Sequence, residues 1–400
     1  MRTLRGIVVA SVLTGAALAA CSSGSDGAEG SAKAATTVPN GRSAGTDQAG
    51  APTGSGPAGS AGASSASASP PPVADPGQVT LAFGGDVNFD GRVAALLNDE
   101  GLAPLRPALG SADVSVVNLE TAITDRGTPQ PKLYHFRTTP QALVTLQRAG
   151  VDALSMANNH AVDYGLDGLT DTLAARDASP VPVVGVGRDA SDAFAPAVFT
   201  VRGVRVAVMA STQVDDFTVH TFPATDTRPG VAGNLTNARL LTAVTAARSR
   251  YDVVVVFLHW GTDYTTCPDA AQQRTVRDLA AAGVDVVVGG HAHRVQGHGW
   301  SGRTFVGYGL GNFVWRTSRG PADTWSGVLT VRIDAVAAVR GRSDPAARAS
   351  SPSLVTGSTW TPLVVGDDGL PVPPTAAQAG PEQEQYDAAA GCSGLSSSPG

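Results

Sequence analysis

Lysine is almost missing from this 400-residue chain: Lys33 and Lys132 are the only two, and the other 26 basic residues are arginine. That bias reads as the mark of a GC-rich genome. The formal net charge is −6, so no basic excess points to a nucleic-acid partner. Cysteine is scarce too, at Cys21, Cys267 and Cys392. No Cys-x-x-Cys pair exists, which excludes the usual thiolate zinc site. Cys267 and Cys392 could pair in an exported protein or stay as two free thiols. A long apolar run is also lacking at the N-terminus. Gly6 to Ala20 is fifteen residues without a charge, short of the roughly 20 that a permanent span needs.

What is there fits a signal peptide. Arg2 and Arg5 precede the apolar stretch, which ends Leu18-Ala19-Ala20-Cys21. This ending resembles the lipobox of bacterial lipoproteins, in which the cysteine is acylated and anchors the chain to the membrane. The alternative is a secretory signal cut after an Ala-x-Ala pattern, with Cys21 incidental. Residues 1–21 are therefore read as a lipoprotein signal peptide. Residues 22–77 read as a disordered Ser/Ala/Gly/Pro-rich tether. Between Ala51 and Ala74 there is no aromatic residue, and Val73 is the only large aliphatic one. Such a segment cannot bury enough apolar surface to offset chain entropy.

From Gln78 the pattern changes. Val79–Phe83 is a strand-like run, followed by runs at 113–117, 151–157, 181–186, 252–258, 284–288, 303–308 and 328–333. A hairpin turning at Arg202-Gly203 is expected over 199–208. Helices are expected over about 140–149, 166–176, 235–248 and 268–282. Valine-rich strands alternating with helices imply an α/β layered domain whose strands are covered on both faces. It should span residues 78–334. Residues 335–400 return to Ala, Arg, Ser, Pro and Gly and read as a mostly disordered tail, with one strand conceivable at 363–365.

The chemistry sits just past the carboxyl ends of these strands, the edge at which open α/β sheets bind ligands. Asp86, Glu120, Asn159-His160, His259, and His291 with His293 all occupy it. Four of the seven histidines are there. His291-x-His293 follows a Gly289-Gly290 turn that lets the chain approach an ion closely. A nitrogen-and-carboxylate ligand set without thiolate suits one or two divalent ions, with Mn, Zn or Fe the best match. Trp260, next to His259, reads as packing.

In order along the chain stand Gly85-Asp86…Arg92, Asn118-Leu119-Glu120, Ala157-Asn158-Asn159-His160…Asp163…Gly165, His259-Trp260-Gly261, Gly290-His291-Ala292-His293 and Gly309-Leu310-Gly311-Asn312-Phe313. Together they resemble the CapA-type family of poly-γ-glutamate capsule synthesis. That family is similar to calcineurin-like metallophosphatases. The resemblance implies a four-layer α/β sandwich, two mixed β-sheets flanked by helices. It implies Asp86, Glu120, Asn159, His259, His291 and His293 as metal ligands, with Glu120 bridging. It implies His160 facing substrate, supported by Asp163. Arg92, taken with His160 and Asp163 as a catalytic candidate, and Asp263 are candidates to support the ligands from behind or to contact an anion, with ordinary surface charge as the alternative. The chain departs from the metallophosphatase pattern at two points. Asn88 stands where that superfamily has a histidine, and Glu120 where it has an aspartate.

The leading expectation is thus an exported, membrane-anchored protein on the outer face of the cytoplasmic membrane. It would carry a metal-dependent hydrolase-like domain and work with envelope polymer or the capsule-synthesis machinery. The alternatives are a non-catalytic envelope scaffold that retains the fold and a phosphodiesterase acting on a small phosphorylated substrate.

Overall fold

The computed structural model describes Asp75 and residues 77–316, 320–350 and 352–400, all inside one unit, 69–400. The signal-peptide, lipobox and tether expectations lie outside the described residues, apart from Asp75 and Gly77.

Among the described residues, fourteen strands make two mixed sheets. The first contains β1 (Gln78–Val87), β2 (Val114–Leu119), β3 (Ala153–Ser155) and β4 (Val183–Val184). The second contains β5 (Ala197–Val201), β6 (Val204–Thr212), β7 (Val253–Trp260), β8 (Val286–His291), β9 (His298–Ser301) and β10 (Thr304–Gly307). The chain then returns to the first sheet with β11 (Asn312–Val314), β12 (Trp325–Asp334), β13 (Val355–Val365) and β14 (Pro371–Val372). The first sheet runs β14-β13-β12-β1-β2-β3-β4, with β11 also on β1; the second runs β9-β10-β8-β7-β6-β5. Within them β1 to β4 are mutually parallel, as are β6, β7, β8 and β10. Their carboxyl ends therefore deliver residues to common edges.

Sequence explains the layering. Val253 to Leu258 is an unbroken β-branched and apolar run, all of it buried, as a central parallel strand requires. One core lies between the sheets, where Leu81, Phe83 and Val116 of the first meet Val206, Val208 and Val288 of the second. The outer face of the first sheet is covered by α1 (Gln141–Arg148) and α2 (Gly165–Asp177), through Leu143, Leu146 and Leu169. On the second sheet sit α3 (Ala238–Arg248) and α4 (Ala270–Ala281), which pack Leu240, Val244, Val276 and Leu279 against its outer face. Asp269 and Gln272 start α4 with a reciprocal capping box. The result is the four-layer α/β sandwich of the metallophosphatase kind.

The C-terminal segment differs from its expected disorder. It forms α5 (Ala335–Ser343), the eleven-residue β13, β14 and α6 (Ala376–Gly391). β13 pairs antiparallel along nearly all of β12. Its Thr, Ser, Gly and Pro hide it from a reading based on apolar runs, because the edge of β12 supplies its partner groups. Trp360 of β13 stacks on Tyr386 of α6 at 5.0 Å, and Tyr386 stacks on His298 at 4.3 Å. Cys267 and Cys392 form a disulfide with Cα atoms 5.6 Å apart, which fastens the end of α6 to the loop after β7.

Candidate metal centre

Asp86, the penultimate residue of β1, joins the two sheets. Its carboxylate accepts from Asn118 Nδ2 of β2 (2.8 Å) and from the backbone N–H of His291 at the end of β8 (2.8 Å). Glu120 directly follows β2. It is fully buried, and among the described residues neither carboxylate oxygen has a hydrogen-bond partner. Its nearest cationic-capable neighbours are His259 Nε2 at 3.4 Å and His160 Nε2 at 3.8 Å. His259 lies next to the end of β7, with Nε2, the nitrogen that faces Glu120, 2.8 Å from Asn159 Oδ1, so two expected ligand atoms stand side by side. His293 Nδ1 lies 2.9 Å from Asn312 Oδ1, which orients the ring, and 3.8 Å from Asp86 Oδ2. The rings of His259 and His291 are 4.8 Å apart.

These residues group into two sets whose ligand atoms lie within 4.8 Å of one another: Glu120, His259 and His291, and Asp86, Glu120 and His293. Glu120 belongs to both. A buried carboxylate with two unpaired oxygens is costly unless it is protonated or faces a cation. Burial pushes every histidine here down: His160 and His259 to about 4, His293 to about 3, and His291 well below its usual range. All four are neutral near pH 7, the form that ligates metal. Burial, reinforced by the neighbouring Glu120, pushes Asp86 up to about 7. Burial, then Asp263, holds Glu120 well above its usual value. The donor set and its unpaired charge fit one or two divalent ions.

A cleft of about 260 Å³ opens onto the group, lined by His160, Asn159, His291, His293, Trp315 and Arg316 among others. His160 donates from Nδ1 to Asp163 Oδ2 (2.7 Å), leaving Nε2 toward Glu120. Asp163 is fully buried, so it positions His160 and does not reach the cleft itself. Asp263 Oδ1 lies 3.3 Å from His291 Nε2. Trp260 is packing: fully buried, with Nε1 donating to the Tyr308 carbonyl. Arg92 is not among the residues lining this cleft. It is exposed on the helical turn 91–96, and its Nη1 donates to the Asp367 carbonyl. Asp367 belongs to the segment that composition marks as disordered, which hides its claim on Arg92. Arg316 lines the cleft instead, 3.4 Å from Asp90. Asn88 is fully buried and its Oδ1 accepts from Asp90 N.

Sequence reasoning also passes over Lys132. It pairs with buried Asp163 at 2.7 Å and donates to the Asn159 carbonyl. Its rarity is the available signal, since it is the only lysine after Lys33. Asn312 lies inside one of the family-like motifs, but sequence assigns it no role.

The architecture and site define an α/β sandwich of metallophosphatase type with a histidine–carboxylate centre. The chain belongs to the bacterial capsule synthesis protein PGA_cap family, which matches residues 80–317. It is 29% identical over 243 residues to the PGA biosynthesis protein CapA of Bacillus subtilis (strain 168), covering 59% of this chain and 63% of that protein. It is 29% identical over 249 residues to the capsule biosynthesis protein CapA of Bacillus anthracis, covering 59% and 60%. The aligned part thus spans about three fifths of these relatives. A hypothetical protein from Thermus thermophilus overlays with a TM-score of 0.38 at 17% identity, covering 74% of this chain and 96% of that one.

Proposed function

We propose that this protein acts in the synthesis, anchoring or trimming of an anionic envelope polymer of the poly-γ-glutamate kind, through a metal-dependent hydrolase-like centre. The observation that carries the metal is Glu120, whose two buried oxygens are unpaired amid His259, His291, His293 and Asp86. The names of the relatives support the polymer. A divalent ion (Mn, Zn or Fe by donor type), when bound, supplies Lewis acidity and brings the pKa of a bound water to about 7. The chain's own residues do the rest. Asp163 holds a proton on His160 Nδ1, so Nε2 is the atom offered toward the centre. Arg316 gives the cleft a guanidinium, which suits carboxylate or phosphate oxygens. Trp315 and Tyr264 supply walls.

The test is metal analysis and titration of purified protein, wild type and His291→Ala. Turnover on γ-glutamyl and phosphodiester substrates would be measured with added manganese or zinc. Stoichiometric metal, and turnover of a γ-glutamyl substrate that His291→Ala loses, are expected. Absence of bound metal together with no binding on titration sinks the reading. Turnover of phosphodiesters alone would favour the small-substrate phosphodiesterase. A non-catalytic scaffold is the second reading, favoured by Asn88, which supplies no imidazole. It predicts that His160→Ala leaves the capsule phenotype intact.

The lipid anchor at Cys21, and with it a position on the outer face of the cytoplasmic membrane, rests on the N-terminal sequence alone. Detergent-phase partitioning of wild type, lost in Cys21→Ala, is the expected outcome; aqueous partitioning of both removes the anchor.

A further inference from the structure

The edge of the second sheet opposite the metal centre carries an unusual concentration of charge. Asp252 immediately precedes β7 and Asp285 immediately precedes β8, and the far ends of these strands carry His259 and His291. Along β7 the rise from Asp252 to His259 is roughly 23 Å at about 3.3 Å per residue. At this edge lies a cavity of about 920 Å³ lined by seven arginines and only two acidic residues. The chain as a whole is net −6, so the excess is local and creates a positive field within the cavity.

Four of the arginines have structural work. Arg342 grips Asp252 through Nε (2.8 Å) and Nη2, and Arg205 lies 3.5 Å from the same carboxylate. Arg248 and Arg348 take opposite oxygens of Asp285, at 2.7 and 2.8 Å. These pairs tie α3, α5 and the segment after α5 to the start of the sheet. They also make a rigid frame of guanidiniums already set for carboxylates. Arg303 adds charge at the start of β10. Arg250, just past α3, and Arg277, on α4, are exposed and engage no carboxylate among the described residues. Packing gives no reason for them. Their guanidiniums can pair bidentately with planar anions such as carboxylates, and a cavity of this volume takes several groups of a chain.

We propose that this arginine-lined cavity binds a chain bearing repeated carboxylates, at a site separate from the metal cleft. It shares with the proposed function only the polymer's chemistry and does not depend on hydrolysis. The cavity would hold one part of the polymer while the cleft works on another.

The test uses the full chain and a fluorescein-labelled oligomer of γ-linked glutamate, read by anisotropy, with inorganic polyphosphate as competitor. Wild type should bind, more weakly as salt rises. Arg250→Glu with Arg277→Glu should weaken binding about tenfold or more, with metal content unchanged. His291→Ala should bind the oligomer as wild type does. Oligomer binding retained in His291→Ala while metal is lost would support a cavity site independent of the metal cleft. No binding by wild type, or equal binding by the double charge reversal, overturns the proposal. Binding of polyphosphate without the glutamate oligomer overturns the carboxylate assignment.

Discussion

Replacing Asp163 by Asn tests whether the cleft is held by a buried charge. Both Phe136 N and His160 Nδ1 donate to Oδ2, each at 2.7 Å, while Lys132 Nζ faces Oδ1 at 2.7 Å. An amide could keep the first two bonds by presenting its oxygen there. Its NH2 group would then face the Lys132 ammonium, donor against donor. Lys132 is only 13% exposed, and its other acidic neighbour, Asp216, is 3.8 Å away. Stranding one member of a buried pair costs about 3–5 kcal/mol. The Asn159 carbonyl and Asp216 offset part of this, so we expect a loss of about 3 kcal/mol. Adding Lys132→Met removes the stranded cation and should recover about 2 kcal/mol of it. Urea denaturation of metal-free protein reads both, through the midpoint at constant slope. If Asp163→Asn is within about 0.5 kcal/mol of wild type, or the double variant is no better than the single one, the charge is not what holds the loop.

Two further outcomes follow from the same geometry. The Cys267–Cys392 bridge closes a loop of 125 residues' separation, which in the chain-entropy account contributes about 5 kcal/mol. The Cys267→Ser, Cys392→Ser protein should show a markedly lower urea midpoint; titratable thiols in native wild type would refute the pairing. The second outcome concerns protons. Asp86 is pushed up to about 7 and Glu120 well above its usual value, so the metal-free fold holds protons that the unfolded chain releases near pH 4. Taken alone, these carboxylates make the metal-free fold less stable as pH rises toward 7, whereas the four buried histidines, neutral in the fold but protonated in the unfolded chain below about 6.5, act in the opposite direction and make it less stable as pH falls. Metal binding must displace those protons, so calorimetry in buffers of differing ionisation enthalpy should show more proton release at pH 6 than at pH 8. No release at pH 6 would remove these carboxylates from the ligand set.

The sheet core is legible because it is written as runs. Valine-rich 253–258, and strand ends marked by Asp86, His259 and Gly290-His291, need no tertiary knowledge beyond the rule that parallel strands present one common edge. The hairpin at Arg202-Gly203 is legible for the same local reason. What escapes depends on partners distant in sequence. β13 is flanked on its outer side only by the two-residue β14, its apolar content is low because half of it faces outward, and β12 completes it. Arg92 looks functional beside Asp86, but its partner is 275 residues away. Arg316 and Lys132 enter the cleft from loops, where sequence carries no period. The disulfide stays open at that level because connectivity is not a local property. The arginine cavity is assembled from six separate segments, and no window of sequence contains it.

Backbone strain shows where this fold gives up stability for its site. His291, His293 and Tyr264 have φ of 87°, 52° and 62°, a left-handed region costly to residues with a Cβ. Three such residues beside one centre over-determine the positions of two imidazoles. Gly290 permits it. A Cβ there would lie 2.2 Å from Asp86 Oδ1 and 3.0 Å from its Cγ. That carboxylate cannot swing away, because Asn118 Nδ2 and His291 N both hold it. Gly290→Ala must therefore move β8 or break the hold on Asp86, at a cost of about 1–3 kcal/mol, and should lower metal affinity at least about tenfold. The contrasting case is Gly380, inside α6 with nothing within 4 Å of an added Cβ. Gly380→Ala, where the following Pro381 crowds an added Cβ and removes the usual helical gain, should change stability little and leave metal binding untouched. The pair separates a general intolerance of substitution from a site built around one missing methyl. If Gly290→Ala binds metal as wild type does, Asp86 is not held as the structure shows it, and the ligand set loses its anchor.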